Sequence, residues 1–104
     1  MTGRVTLCAD DYGYSPATCD VIAELASEGR INAVSCMTTM PAWRTHAHLL
    51  SSLRPSCEVG IHLTLTEEEP LSAMPGLAPT GRLPTASQLW RRARAARMGP
   101  VLRG

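Results

Sequence analysis

Strand-like and helix-like segments alternate along residues 5–66, and this alternation constrains the fold more than any other feature of the chain. The apolar run at residues 5–9 predicts a first strand. A helical pattern then begins at Ser15-Pro16, where an N-cap residue precedes a proline at the first helical position, and it ends at Gly29. The sequence therefore begins with a strand followed by a helix.

The same order repeats twice more. A second strand is predicted within residues 32–40, and a helix over 41–53 ends before Pro55, because a residue that precedes proline disfavours helix. Residues 57–66 alternate apolar and polar side chains, as a third strand does. Strands that alternate with helices of this length predict right-handed βαβ units in a parallel sheet or barrel, with active groups at the carboxyl ends of the strands.

Length and composition place the chain among globular proteins. It has 104 residues, 44% hydrophobic and 18% charged, which suits one small domain. No apolar run approaches the ~18 residues of a membrane span, and the first nine residues lack the longer apolar stretch of a secretory signal. We therefore expect a cytoplasmic protein without a membrane span.

The cysteines favour a reducing compartment. They are widely spaced and form no C-x-x-C pair, which indicates small buried side chains and neither a disulfide framework nor a zinc knuckle. The four positions are Cys8, Cys19, Cys36 and Cys57.

Two adjacent aspartates, Asp10 and Asp11, close the first apolar run. Asp10 is predicted on one face of the strand and Asp11 just past its end, so both reach the carboxyl end. Two carboxylates so close repel each other unless a cation or a proton separates their roles, and a divalent metal resolves this most simply. The alternative is a pair that caps a helix or forms a turn before Gly13.

His62 lies on the polar face of the third predicted strand. Imidazole is a natural partner of carboxylate around zinc and related metals. Taken alone, His62 is equally well explained as a strand histidine satisfied by a hydroxyl. Its combination with Asp10 and Asp11 favours a metal site.

Three segments resemble the YdjC-like carbohydrate deacetylases, a family that includes chitooligosaccharide deacetylases and a hopanoid-biosynthesis branch. The resemblance extends over nearly all of residues 5–71, in matching order and spacing. The segments are Ala9-Asp10-Asp11-Tyr12-Gly13, Thr38-Thr39-Met40-Pro41, and Gly60-Ile61-His62-Leu63-Thr64-Leu65-Thr66 with Pro70-Leu71.

The resemblance implies a distorted, seven-stranded TIM-like barrel that hydrolyses an N-acetyl group from a saccharide. It implies that Asp10 is the general base and that Asp11 and His62 are ligands of a divalent ion, Mg or Zn in the first place. Residues 1–104 would be the N-terminal part of one such domain. An irregular excursion rich in proline and glycine is expected at 67–84, and a basic amphipathic helix at 85–98.

The third metal ligand of the family, another histidine, is absent from this chain. His46 and His48 lie two apart on the second predicted helix, so they do not share a face, and we expect them at the surface. Three strands cannot close a seven-stranded barrel, and the open sheet edges should cost stability or drive association of copies. We therefore expect a truncated chain with weak or absent activity.

The charge distribution supports a competing, non-enzymatic interpretation. Residues 1–81 carry a net charge of −5 and residues 82–104 carry +6. The basic helix at 85–98 could belong to an inactive fragment or interaction module that binds a protein partner or an anionic surface. The simpler explanation is a helix that covers a barrel with its arginines outward, and we do not expect nucleic acid as a partner.

Overall fold

The computed structural model describes residues 3–95, and the chain divides between Leu63 and Thr64 into two units. Within residues 3–95, the first unit contains three strands and two α-helices, and the second contains one α-helix. In chain order these elements are β1 (Cys8–Tyr12), α1 (Pro16–Ser27), β2 (Ala33–Cys36), α2 (Trp43–His46), a 3-10 helix (Ala47–Leu53), β3 (Glu58–Ile61) and α3 (Ala86–Arg94).

The three strands form one parallel sheet in the order β1-β2-β3, which confirms the predicted βαβαβ order. The pairing of β2 with β3 is regular, from Ala33 opposite Glu58 to Cys36 opposite Ile61. The pairing of β1 with β2 is interrupted after Ala9 by a change of register. The sheet is therefore regular on one side of β2 and bulged on the other.

Helix α1 begins and ends at the predicted signals. The Ser15 hydroxyl accepts a hydrogen bond from the backbone N–H of Thr18 at 3.1 Å, and Pro16 occupies the first turn. At the other end, Gly29 adopts a φ of 71°, a conformation that glycine adopts without steric cost. Val21 of this helix is exposed.

Strand β1 lies three residues later than predicted. Val5 and Leu7 do not belong to the strand and are exposed. They are held by the side chain of Asn32, which accepts a hydrogen bond from the Leu7 N–H at 2.7 Å and donates one to the Val5 carbonyl at 2.8 Å. The Leu7 carbonyl also accepts a hydrogen bond from the backbone N–H of Asn32 at 3.1 Å, so both the side chain and the backbone of Asn32 hold this segment.

The predicted second helix is mostly a 3-10 helix. Only Trp43–His46 is α-helical, and Ala47–Leu53 is wound more tightly. In this segment the hydroxyls of Ser51 and Ser52 donate to the carbonyls three residues earlier, a local hydrogen bond that competes with regular α-helix. Leu50 and Leu53 are nevertheless buried.

The core of the first unit lies between the sheet and its helices. Tyr12 is fully buried at its centre, with Ala9, Val34 and Val59 contributed by the strands. Three of the four free cysteines are buried and pack in or beside this core, whereas Cys8 is exposed, contrary to the expectation for a small apolar residue in a strand. The remaining buried members are Cys19, Ile22, Ala26, Ile31, Cys36, Ala42, Leu50, Leu53 and Cys57.

Strand β3 is shorter than the alternating pattern predicted. Only Glu58–Ile61 is strand, and of the predicted apolar face Val59 packs into the core while Ile61 and Leu63 are exposed. The alternation of side chains was therefore a poor guide to burial at this end of the sheet.

The second unit has its own small apolar cluster of Leu77, Ala78 and Leu83, against which Leu89 of α3 packs. The Thr85 side chain begins α3 with a reciprocal capping box, and Arg92 donates a hydrogen bond to the Leu77 carbonyl at 3.0 Å. Residues 96–98 of the predicted basic helix lie outside the described residues. Within residues 3–95, no helix is both long and apolar enough to cross a membrane.

Candidate active site

Asp10 and Asp11 lie within β1, where two residues of this strand face one residue of β2. Ala9 pairs with Val34 and Tyr12 pairs with Cys36, so Asp10 and Asp11 together oppose Ser35. This is a β-bulge, and Asp11 has the left-handed φ of 72°. Our expectation that Asp11 lies just past the strand end was wrong, because the bulge extends the pairing to Tyr12.

The bulge brings Asp11 to His62. Asp11 Oδ1 lies 3.1 Å from His62 Nδ1, although β2 separates the strands to which the two residues belong. His62 directly follows β3, and its backbone N–H donates to the Cys36 carbonyl at 2.9 Å, which fixes its position relative to β2. The two side chains therefore meet at the carboxyl end of the sheet, as predicted for parallel strands.

Both members of this pair are accessible to solvent. The side chain of Asp11 is 51% exposed and that of His62 is 35% exposed. Asp11 supplies a carboxylate oxygen and His62 an imidazole nitrogen, and both are accepted ligands of zinc and other divalent metals. Asp11 and His62 are thus the residues that could hold a metal.

Asp10 belongs to a different set of contacts. Its Oδ1 accepts a hydrogen bond from the Ser35 hydroxyl at 2.7 Å, and the Cys8 sulfur lies 3.8 Å from the same oxygen. Desolvation raises the pKa of the Cys8 thiol, and so do the charge of Asp10 and the hydrogen bond to it. The adjacent aspartates are thereby separated, Asp10 toward Ser35 and Asp11 toward His62.

No third ligand completes a metal cluster within residues 3–95. Groups of three or more histidine, cysteine, aspartate or glutamate side chains arranged for a metal do not occur there. His48 is exposed, as expected for a surface residue. His46 is not: its side chain is only 16% exposed, because its ring nitrogen contacts Thr45 and the Ala42 carbonyl and its far nitrogen lies 3.8 Å from Asp20.

The sequence analysis missed Ser35 and the reason for a glycine at position 13. Strand alternation assigns Ser35 to one face of β2, but only the register of the pairing places it beside Asp10. Gly13 follows the bulge with a φ of 104°, and a Cβ atom there would stand 2.8 Å from the Met37 carbonyl oxygen. Only the tertiary approach of the loop after β2 reveals why glycine is required there.

A surface cleft lies elsewhere. It measures about 460 Å³ and is lined by residues of the second unit, among them Pro70, Leu71 and Met74. It contains none of the acidic or histidine side chains described above, so its size does not indicate the reactive site.

The parallel βαβαβ sheet, with a carboxylate and an imidazole that meet at its carboxyl end, defines an α/β protein with a candidate metal site. Comparison with known proteins gives the family. Residues 4–100 match the model of the YdjC-like protein family, and the chain belongs to that family.

Similar proteins include carbohydrate deacetylases. The chain is 38% identical over 90 residues to a chitooligosaccharide deacetylase of Klebsiella pneumoniae (strain 342), an alignment that covers 86% of this chain and 34% of the relative. It is 39% identical over 69 residues to a carbohydrate deacetylase of Geobacillus stearothermophilus, covering 66% of this chain and 28% of the relative. The chain thus spans about a third of the length of these relatives.

A solved structure agrees with the fold. The crystal structure of a protein from Enterococcus faecalis V583, named for a suggested role in cellobiose-phosphate cleavage, matches with a TM-score of 0.66 at 25% identity. The match covers 79% of this chain and 34% of that chain. The three-stranded sheet therefore corresponds to part of a larger fold of this family.

Proposed function

We propose that the chain contributes the metal and base residues of a metal-dependent hydrolase that removes an N-acetyl group from a saccharide. The contact of 3.1 Å between Asp11 Oδ1 and His62 Nδ1 carries this proposal. The similarity of the chain to chitooligosaccharide and carbohydrate deacetylases supports the class of substrate. The three strands would be the first of a distorted, seven-stranded barrel.

The separation of the two donor atoms suits a shared divalent ion. Ligand atoms about 2.1 Å from an ion, at angles of 90° to 110°, lie about 3.0 to 3.4 Å from each other. Asp11 Oδ1 and His62 Nδ1 fall in this range at 3.1 Å. We propose Mg or Zn, since one carboxylate and one imidazole suit either in combination with water.

The ion would polarise the acetamide carbonyl and acidify the attacking water. Asp10 is exposed at the same end of β1 and would take the proton of that water as general base. Both contacts of its carboxylate, from Ser35 and Cys8, are to Oδ1, and within residues 3–95 no hydrogen bond occupies Oδ2. The proton held by Asp10 would then pass to the amide nitrogen, the C–N bond would break, and acetate and the free amino sugar would leave.

The experiment measures acetate released from N-acetylated chitooligosaccharides by the purified chain, with and without Mg or Zn. We expect slow release that requires the ion, because two protein ligands leave much of its coordination shell to water. Asp11→Ala should abolish the release, since it removes one of the two ligands. Glu24→Ala, which removes an exposed carboxylate of α1, is the matched control and should leave the rate unchanged.

Metal binding is measured separately by calorimetry. We expect the wild-type chain and Glu24→Ala to bind the ion alike, and Asp11→Ala and His62→Ala to bind it at least about tenfold more weakly. Equal binding by wild type and Asp11→Ala would contradict the assignment of the ligands. Acetate release that persists in Asp11→Ala, or that needs no ion, would contradict the proposed reaction.

A further inference from the structure

Ser35 occupies the centre of the sheet, directly opposite the bulge. It lies on β2, whose backbone is paired on both sides, with β1 across the bulge and with Gly60 of β3. Pairing on both sides fixes the backbone position of Ser35. Asp10, in contrast, lies on β1, which has one strand neighbour within residues 3–95. The serine is thus the better-anchored member of the pair.

The hydrogen bond between the two is short. Ser35 Oγ donates to Asp10 Oδ1 at 2.7 Å, near the range of about 2.5 to 2.7 Å for a hydroxyl bonded to a charged carboxylate. The other neighbour of that oxygen is the Cys8 sulfur at 3.8 Å, and a thiol is a weak donor. Within the described part of the chain, Ser35 is therefore the strong partner of Asp10.

Asp10 needs such a partner because its surroundings do not restrain it. The residue is exposed, so packing does not select one side-chain rotamer. On the other side of Ser35, Gly60 presents open space, with no atom within 4 Å of a Cβ placed there. The side chain of Ser35 thus supplies a restraint that the neighbouring glycine does not.

We propose that Ser35 is a positioning residue, which holds the Asp10 carboxylate by the hydrogen bond to Oδ1 so that Oδ2 faces the water to be deprotonated. The catalytic consequence rests on the proposed function, in which Asp10 is the general base. The structural part, one rotamer of Asp10 imposed by Ser35, is independent of any activity.

The first test follows the Asp10 rotamer in solution. Three-bond NMR couplings from the backbone to the Asp10 carboxyl carbon report the population of each χ1 rotamer. We expect one dominant rotamer in the wild-type chain and in Ser35→Thr, which keeps the hydroxyl, and averaged couplings in Ser35→Ala. Ser51→Ala is the matched control, since that hydroxyl bonds the His48 carbonyl within its own helical segment, and it should preserve the wild-type couplings.

The second test measures acetate release. Ser35→Ala should lower kcat by about tenfold to a hundredfold with KM nearly unchanged, because it displaces the base without removing a substrate contact. Ser35→Thr should restore the rate. In an Asp10→Asn background, Ser35→Ala should cost nothing further, since a residue that acts through Asp10 has no separate effect.

The two tests fail in different ways. Averaged couplings in the wild-type chain, or one dominant rotamer in Ser35→Ala, would overturn the positioning role whatever the activity. Full additivity of the Ser35 and Asp10 substitutions in kcat would overturn it as well. Equal metal binding by the wild-type chain and Asp11→Ala would contradict the proposed function alone, and the NMR couplings would still decide the role of Ser35.

Discussion

At the scale of single residues, the backbone conformation of β1 separates two aspartates that are adjacent in sequence. Without the bulge, strand alternation would send Asp10 and Asp11 to opposite faces of the sheet. With Asp11 at a φ of 72°, its carboxylate reaches His62 while Asp10 keeps its hydrogen bond to Ser35. A local distortion of the backbone thus allows two like charges to take different partners.

Gly13 supports this distortion from the following turn. A Cβ atom there would stand 2.8 Å from the Met37 carbonyl oxygen, which is backbone and cannot move aside cheaply, and the φ of 104° adds strain for any other residue. We expect Gly13→Ala to lower the free energy of unfolding by about 2 to 3 kcal/mol, as measured by urea denaturation. The same substitution should weaken metal binding, because the turn that follows Asp11 shifts.

Gly29→Ala is the matched control for this prediction. Gly29 also has a positive φ, 71°, but no atom lies within 4 Å of a Cβ placed there. This substitution should cost only the backbone strain, about 1 kcal/mol, and leave metal binding intact. Equal destabilisation by the two substitutions would show that the contact with Met37 is unimportant.

At the scale of elements, the sequence predicted those features that depend on neighbouring residues. The start of α1 at Ser15-Pro16, the end at Gly29 and the order of strands follow from local capping, periodicity and turn residues. The pairing of Asp11 with His62 could be anticipated only in outline, from the rule that parallel strands end at one edge.

The bulge and the burial of His46 could not be predicted. Each depends on pairing or packing between segments far apart in the chain, such as the 34 residues that separate Tyr12 from His46. The spacing of His46 and His48 gives no local signal that tells an exposed histidine from a packed one. The burial of His46 depends on the approach of α1, which brings Asp20 near its ring.

Tyr12 links β1 to α2, and we expect it to make the stability of the first unit sensitive to alkaline pH. Its hydroxyl donates to the His46 carbonyl at 2.7 Å. Desolvation, followed by the charges of Cys19 and Cys36, raises the pKa of Tyr12 from 10.0 to about 12. Because the pKa of Tyr12 in the folded chain lies above the unfolded value, its contribution to the free energy of unfolding is complete below pH 10. That contribution is lost as the pH rises from 10 to about 12.

The corresponding experiment is urea denaturation of the wild type and Tyr12→Phe across this pH range. Phenylalanine leaves the His46 carbonyl without its donor, so we expect a loss of about 1 to 3 kcal/mol at neutral pH. The difference between the proteins should then shrink by about 3 kcal/mol or less between pH 10 and about 12, since only the wild type has this phenol to ionise. Tyr14→Phe, at an exposed tyrosine, is the control and should track the wild type. A constant difference across the range would contradict the assignment.

At the scale of the whole molecule, the second unit shows how an apolar cluster can form without periodic sequence. Leu77, Ala78 and Leu83 are buried although they lie in a segment rich in proline and glycine that contains no helix or strand. Such a segment gives no amphipathic pattern, so its core cannot be read from the sequence. Three strands likewise give no indication that a barrel closes, and the expectation of a seven-stranded barrel rests on the family resemblance alone.

The sheet of the first unit leaves apolar side chains and strand edges uncovered. Ile61 is 75% exposed and Leu63 is 74% exposed, and β3 has one strand neighbour within the described residues. An exposed apolar strand at a sheet edge is a site of self-association. We therefore expect the purified chain to associate reversibly, with a sedimentation coefficient that rises with protein concentration.

Ile61→Lys tests whether this association occurs through β3. Burial of an isoleucine side chain is worth about 1.5 to 3 kcal/mol, and a charge at an edge strand opposes pairing, so the substitution should raise the dissociation constant at least about tenfold. Val21→Lys places the same charge at a 55% exposed valine on α1 and should leave association unchanged. A wild-type chain that stays monomeric at all concentrations, or an equal effect of both lysines, would show that β3 is not the contact.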